Sequence, residues 1–246
     1  MGKNKLKKFA EIEGFGCVYQ YPRERLIAEG FPHKGKWRDK VFETDGEISL
    51  ELGCGKGEYT VSLAKANPGK NHIGVDIKGA RMWSGAKEVE SEGIKNAAFL
   101  RTEIENIDKF FSPGEVSEIW ITFPDPQMQK VRKRLTSTRF MELYSKILKE
   151  KGIINLKTDS PFLYEYTRRM VKENGFEILT DTDDLYGSGM ADPVSSIKTY
   201  YESQWLSRGK KIKLLIFRPD FSKLLVEPES DDIPKDDYRA YTRHTI

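Results

Sequence analysis

The chain is poor in the residues that build metal and disulfide frameworks. It has two cysteines, Cys17 and Cys54, and three scattered histidines, His33, His72 and His244, in 246 residues. With no CxxC pair, a disulfide scaffold and a cysteine-based zinc site are not expected, and the chain fits a reducing cytoplasm. No apolar run approaches the roughly 18 residues that span a bilayer, so no membrane segment is expected. The N-terminus, Met1-Gly2-Lys3-Asn4-Lys5-Leu6-Lys7-Lys8, is basic but lacks an apolar segment of the secretory kind. Net charge is also low. Forty-one Lys and Arg against 38 Asp and Glu leave +3, too little to name a partner. What is present is a chain of 38% hydrophobic and 32% charged residues, long enough for one large α/β domain with appended ends.

The most informative segment is Ile48-Ser49-Leu50-Glu51-Leu52-Gly53-Cys54-Gly55-Lys56-Gly57. An apolar strand runs into an acid and three alternating glycines, and an amphipathic helix follows. Glycines lack Cβ, so the backbone turns sharply and a ligand can lie against it. A dinucleotide fingerprint needs a further glycine three positions after Gly55, and that position is Glu58, a carboxylate where a phosphate would approach. Glu51 before the glycines instead favours a cofactor with a cationic amino-acid head, S-adenosylmethionine. Asp76, 19 residues after Gly57, is placed to accept from ribose hydroxyls, a feature shared with NAD proteins.

Apolar segments alternate between strand and helix lengths. Strands are expected at 48–53, 71–76, 97–101, 116–123, 152–157, 176–180 and 211–217. Helices are expected at 57–66, 79–92, 138–150 and 161–174. This pattern predicts an α/β fold, a doubly wound, mostly parallel seven-stranded sheet of Rossmann-like type. Ligands in such sheets bind outside the carboxyl ends of the strands. Residues 1–45 show no clear period and read as a basic, partly ordered N-terminal arm. Residues 46–219 form the expected catalytic domain. Residues 220–246, acidic and proline-containing, read as a flexible tail.

A second constellation follows the fourth strand: Phe123-Pro124-Asp125-Pro126, then Lys130, Arg132, Lys133, Arg134 and Arg139 with no intervening acid. Two prolines hold Asp125 extended at the mouth of the sheet. A fixed acid beside a cationic run suits a polyanion that presents one base, with phosphates on the run and Asp125 facing the base. The competing reading of the run is a solvated surface.

These segments resemble the bacterial tRNA (guanine-N7-)-methyltransferases of the TrmB type. The resemblance rests on Glu-Leu-Gly-Cys-Gly-Lys-Gly (51–57), Gly-Val-Asp-Ile (74–77), Phe-Pro-Asp-Pro (123–126), Lys-Thr-Asp-Ser (157–160) and Thr-Tyr-Tyr-Glu (199–202). The first two occur across class I methyltransferases; the last three, in this order, are more specific. The resemblance implies methyl transfer from S-adenosylmethionine to N7 of guanine 46 in the tRNA variable loop. It implies cofactor contacts from Glu51, Gly53, Gly55, Gly57, Asp76, Glu103 and Asp125, with Asp125 also catalytic. It implies tRNA-side contacts from Asp159, Thr199, Tyr200, Tyr201 and Glu202, without metal, in a monomer or homodimer. Two departures stand out. Glu103 replaces the family's usual Asp, and Gln127-Met128-Gln129-Lys130 replaces a Trp-Pro-Lys stretch, which makes Lys130 the candidate substrate lysine.

Several residues have a second reading. Asp159 before Pro161 can be a helix N-cap, and Thr199 with Glu202 can be a capping box. Guanine N7 has an in-plane lone pair and no proton, so its methylation needs no general base. Asp125 is then expected to orient the ring by accepting from N1–H and the 2-amino group. Two other functions remain open at this level: an S-adenosylmethionine enzyme with another substrate, and a non-catalytic RNA-binding module.

Overall fold

The computed structural model describes residues 2–42 and 44–237. Its centre is an eight-stranded sheet built from β1 (Val18–Gln20), β2 (Ile48–Leu52), β3 (Asn71–Asp76), β4 (Ala97–Arg101), β5 (Val116–Thr122), β6 (Leu148–Thr158), β7 (Glu177–Thr182) and β8 (Lys213–Arg218). The order is β1-β4-β3-β2-β5-β6-β8-β7. Strands β1 to β6 pair in parallel, and β8 is antiparallel to both β6 and β7. Every residue of β2 and β5 is buried, as expected for parallel strands covered by helices on both faces. Helices α1 (Gly2–Glu13), α2 (Arg23–Glu29), α3 (Trp37–Lys40), α4 (Glu58–Ala66), α5 (Gly79–Glu92), α6 (Thr138–Tyr144), α7 (Pro161–Glu173) and α8 (Tyr200–Leu206) complete the fold.

The sheet reverses its winding between β2 and β5. Strand β2 has β3 on one side and β5 on the other, so the crevice at their carboxyl ends is the expected ligand position.

Four expectations are corrected. The sheet has eight strands rather than seven, because Val18–Gln20 adds to the edge of β4. The segment read as an arm is part of the domain. The Trp37 indole is fully buried, donates to the Phe110 carbonyl at 2.9 Å and stacks on Phe111. Trp83 on α5 donates to Glu11 on α1 at 2.7 Å.

The described part of the acidic tail, through residue 237, is also packed rather than loose. Ile233 is in the main core, the Glu227 carboxylate accepts from the Tyr166 hydroxyl and from Thr138, and Asp232 pairs with Arg169 at 2.7 Å. Residues 238–246 lie outside the described residues. The helix expected over 138–150 ends at Tyr144, because Ile147 and Leu148 are drawn into the core and β6 starts at Leu148.

Candidate functional site

Four acids predicted from the sequence fall at the carboxyl ends of four neighbouring strands. In sheet order these are Glu103 after β4, Asp76 at the end of β3, Glu51 in β2 and Asp125 beyond β5. The β2–α4 loop puts Gly53, Gly55 and Gly57 at φ of 81°, 56° and 77°, in the left-handed region where a Cβ is strained. Their surroundings differ. A Cβ on Gly53 would meet nothing within 4 Å, whereas one on Gly57 would meet the Phe99 ring at 2.5 Å. Gly53 and Gly55 therefore border open space, while Gly57 lets α4 pack closely against the sheet. Gly57 is a packing residue here and does not line the cleft.

The cleft measures about 1210 Å³. Its wall includes Glu51, Gly53 and Gly55 together with Asp125, Lys130 and Tyr201.

Glu51 is buried. Its Oε2 accepts from the Thr60 amide at 2.9 Å and hydroxyl at 2.5 Å, and its Oε1 accepts from the Thr122 hydroxyl at 2.6 Å. A carboxylate has about four lone-pair directions, so one remains for a cation in the cleft. Burial pushes the Glu51 carboxyl up to about 7, against the opposing pull of these hydrogen bonds. The Thr122 bond also ties the end of β5 to β2 across the crevice.

Asp76 accepts from the Gly55 amide at 3.0 Å and the Lys78 amide at 2.8 Å, fixing the glycine loop from the next strand. Glu103 is exposed and precedes a short 3-10 turn. Neither Asp76 nor Glu103 lines the cleft. The residues fit S-adenosylmethionine. The open face of Gly53 accommodates a ligand against the backbone, and Glu51 offers a carboxylate in the cavity.

Asp125 is exposed at the cleft mouth and accepts from the Gln127 amide at 3.0 Å. Its neighbours Phe123 and Gln127 lie at φ of 48° and 47°. Left-handed non-glycine residues cost about 1–3 kcal/mol each and persist only where the surroundings fix them. Phe123 is held by its amide, which donates to the Lys157 carbonyl at 2.8 Å, and at Gln127 the fixing agent is Arg134. Its guanidinium donates to the Gln127 carbonyl at 3.2 Å, to the Met128 carbonyl at 2.9 Å and to the Ser230 hydroxyl at 3.0 Å. It also lies over the rings of Tyr166 and Phe162, at 4.4 and 4.8 Å. Arg134 is 2% exposed, so it is not the surface phosphate contact expected from the run. Lys130 is exposed on the cleft wall.

The remaining predicted residues divide sharply. Tyr200 and Tyr201 are 63% and 43% exposed and border the cleft. The Lys56 ammonium lies over the Tyr200 ring at 4.9 Å, and Tyr201 packs against Phe123 at 5.7 Å. Thr199 is the N-cap of α8, its side chain accepting from the Glu202 amide at 3.1 Å. Glu202 faces inward, pairs with Lys157 at 2.8 Å and accepts from the Tyr186 hydroxyl at 2.6 Å. Thr199 caps α8 and also borders the cleft, whereas Glu202 is buried away from it, and its expected substrate contact gives way to a locking role. Asp159 is 1% exposed near Lys213 and is not part of the cleft wall, and the α7 N-cap is Ser160 rather than Asp159.

Sequence reasoning missed Thr60 and Thr122, which hold Glu51, and Lys157 as the buried partner of Glu202. Hydroxyls facing a buried acid leave no periodic signal. Among the described residues no cluster of three His, Cys, Asp or Glu side chains is placed to hold a metal ion, and no helix is long and apolar enough to cross a membrane.

Comparison with known proteins agrees with this geometry. Residues 45–215 match a family described as putative methyltransferase. A tRNA (guanine-N(7)-)-methyltransferase of Bacteroides fragilis (strain YCH46) is 54% identical over 243 residues, covering 99% of this chain and 96% of the relative. One of Porphyromonas gingivalis (strain ATCC BAA-308 / W83) is 55% identical over 238 residues, covering 94% and 96%. Among solved structures, the 16S rRNA methyltransferase KamB superposes with a TM-score of 0.57 at 14% identity, over 78% of this chain and 95% of that one, which shows a shared fold.

Proposed function

We propose that this chain, which belongs to the tRNA (guanine-N(7)-)-methyltransferase family, joins its cofactor and its RNA substrate in the single cleft between the β2–α4 loop and the Asp125 loop. It is an S-adenosylmethionine-dependent methyltransferase that methylates N7 of guanine in tRNA. The proposed target is guanine 46 of the variable loop, and a cytoplasmic setting follows from that substrate.

The observation that carries the site assignment is Asp125. It is exposed on the wall of the cleft that Glu51 and Gly53 also line, on a loop whose left-handed Gln127 is held by buried Arg134. S-adenosylmethionine supplies the activated methyl group. The chain's residues bind and orient. Glu51 would meet the ammonium of the cofactor, and the open faces of Gly53 and Gly55 would accept its body. Asp76 and Glu103, at the ends of the next two strands and beside the cleft, would accept from the ribose and the adenine.

Asp125 accepts from the N1–H and 2-amino edge of an unstacked guanine, which fixes the ring and favours the positive charge that develops on it. No side chain need remove a proton, because N7 carries none. Holding N7 in line for transfer would be the main catalytic task of these residues. Exposed Tyr200 offers a stacking face, and Lys130 a phosphate contact.

The test is incubation of purified protein and S-adenosylmethionine with unmodified tRNA, followed by nucleoside mass spectrometry. 7-Methylguanosine is the expected product, and its loss on replacing guanine 46 confirms the position. Methylation of another base or of a small molecule would overturn the reading.

A further inference from the structure

The C-terminal segment reaches the cleft. Lys235 is one of its wall residues, and the next residue, Asp236, contacts Met128 of the Asp125 loop. The segment is anchored on both sides of Lys235. Ile233 is 3% exposed in the main core. Asp236 is 5% exposed, and its carboxylate accepts from the Ser160 hydroxyl and, at 3.1 Å, from the Phe162 amide at the start of α7. The Asp236 amide donates to Met128 Sδ at 3.2 Å, and Ser230 accepts from Arg134. The same contacts therefore hold the Asp125 loop and the backbone that carries Lys235. Lys235 itself is exposed. It is a cation on a fixed stem at a cleft whose substrate is a polyanion.

We propose that Lys235 is a substrate-binding residue of this site, contacting an RNA phosphate beside the target nucleotide, so that the C-terminal segment completes the RNA surface. The inference rests on the tRNA reading above. With Arg134 buried in the protein, the cations on the cleft wall are Lys56, Arg81, Lys130 and Lys235, and Lys235 joins them from a segment far away in sequence. A phosphate contact adds affinity without reading bases and releases about one counterion.

The experiment measures tRNA affinity of the full chain between 0.05 and 0.3 M salt for wild type, Lys235→Ala, Lys235→Arg and Lys223→Ala. Lys223 is an exposed lysine of the same segment that does not line the cleft, so its removal changes net charge alone. Lys235→Ala is expected to weaken binding about four- to fivefold at 0.15 M salt, the factor for one released counterion, and to flatten the log–log salt slope by about 0.7–0.9. Lys235→Arg and Lys223→Ala should stay near wild type, and S-adenosylmethionine affinity should not move. An unchanged slope in Lys235→Ala, or equal weakening by Lys223→Ala, would overturn the assignment while leaving the methyltransferase reading intact. Failure of the wild-type protein to bind tRNA would overturn both.

Discussion

The Lys157 ammonium and the Glu202 carboxylate meet at 2.8 Å with neither side chain exposed to solvent. Lys157 belongs to β6 and Glu202 to α8, so the pair locks the helix that carries Tyr200 and Tyr201 onto the sheet. Lys157 also donates to the Ile197 carbonyl at 2.8 Å, and Tyr186 closes the network on the other carboxylate oxygen. Burial draws the Lys157 ammonium below its ordinary range and Glu202 opposes the shift, so the pair is held by its geometry.

Removing one partner should therefore cost stability before it costs chemistry. Glu202→Ala is expected to destabilise the fold by about 3–5 kcal/mol, because it leaves a buried ammonium without its counter-charge. Tyr200→Ala, at an exposed position, should leave stability within about 0.5 kcal/mol of wild type and weaken tRNA binding by about 1–3 kcal/mol through lost stacking. Urea denaturation and tRNA titration of both variants check this division. Equal stability losses would remove the distinction between locking and contacting residues.

Arg134 provides a second contrast, within a single basic run. Arg134→Ala should destabilise by about 2–4 kcal/mol, since three hydrogen bonds and two ring contacts are lost and a cavity opens. It should also slow methyl transfer, because the Asp125 loop loses its brace. Lys133→Ala, at an exposed position, should change stability little. Thermal unfolding of the two variants is sufficient, and a stable Arg134→Ala protein would contradict the bracing role.

Two buried groups give opposite pH dependences. The Glu51 carboxyl is about 7 when folded against an ordinary 4.5. The folded state holds the extra proton, so this contribution is complete below 4.5 and fades as pH rises to 7. Burial lowers His72 to about 4 from 6.5, so its contribution is present above 6.5 and is lost as pH falls towards 4. Across the shared window the two slopes offset each other. Relative to wild type, Glu51→Gln should gain up to about 3 kcal/mol of stability as pH rises from 4.5 to 7, by linkage. The same carboxyl controls the cofactor, because an ammonium binds its ionised form. S-adenosylmethionine affinity should rise up to about tenfold per pH unit below 7 and level off above it. Calorimetry from pH 5.5 to 8.5 reads this directly, and a flat wild-type profile would remove Glu51 from the ammonium role.

The sequence made the mostly parallel sheet from 48 to 217 legible because its central strands are continuous apolar runs, several with a glycine or proline stop. The acids at their ends, Glu51, Asp76, Glu103 and Asp125, came with them. Residues whose meaning depends on distant partners stayed hidden. Trp37 finds its partners at Phe110 and Phe111, and β1 has three residues and needs β4 beside it. In sequence Arg134 is indistinguishable from Lys133, because only the fold brings Phe162, Tyr166 and Ser230 to it. Thr199 and Glu202 carried the correct local signal for a helix cap, and the buried Lys157 supplied the other half of the answer. The acidic stretch up to residue 237 looked like a tail by composition, but several of its carboxylates accept from α7 side chains or backbone.

The central claim is that Asp125 orients the guanine for transfer to N7, and single-turnover methylation of tRNA by Asp125→Ala tests it most directly. The prediction is 7-methylguanosine formation slowed by at least about a hundredfold, the scale for losing a transition-state hydrogen-bond partner, with S-adenosylmethionine and tRNA affinities within a few fold of wild type. A near-normal single-turnover rate in that variant would contradict the account.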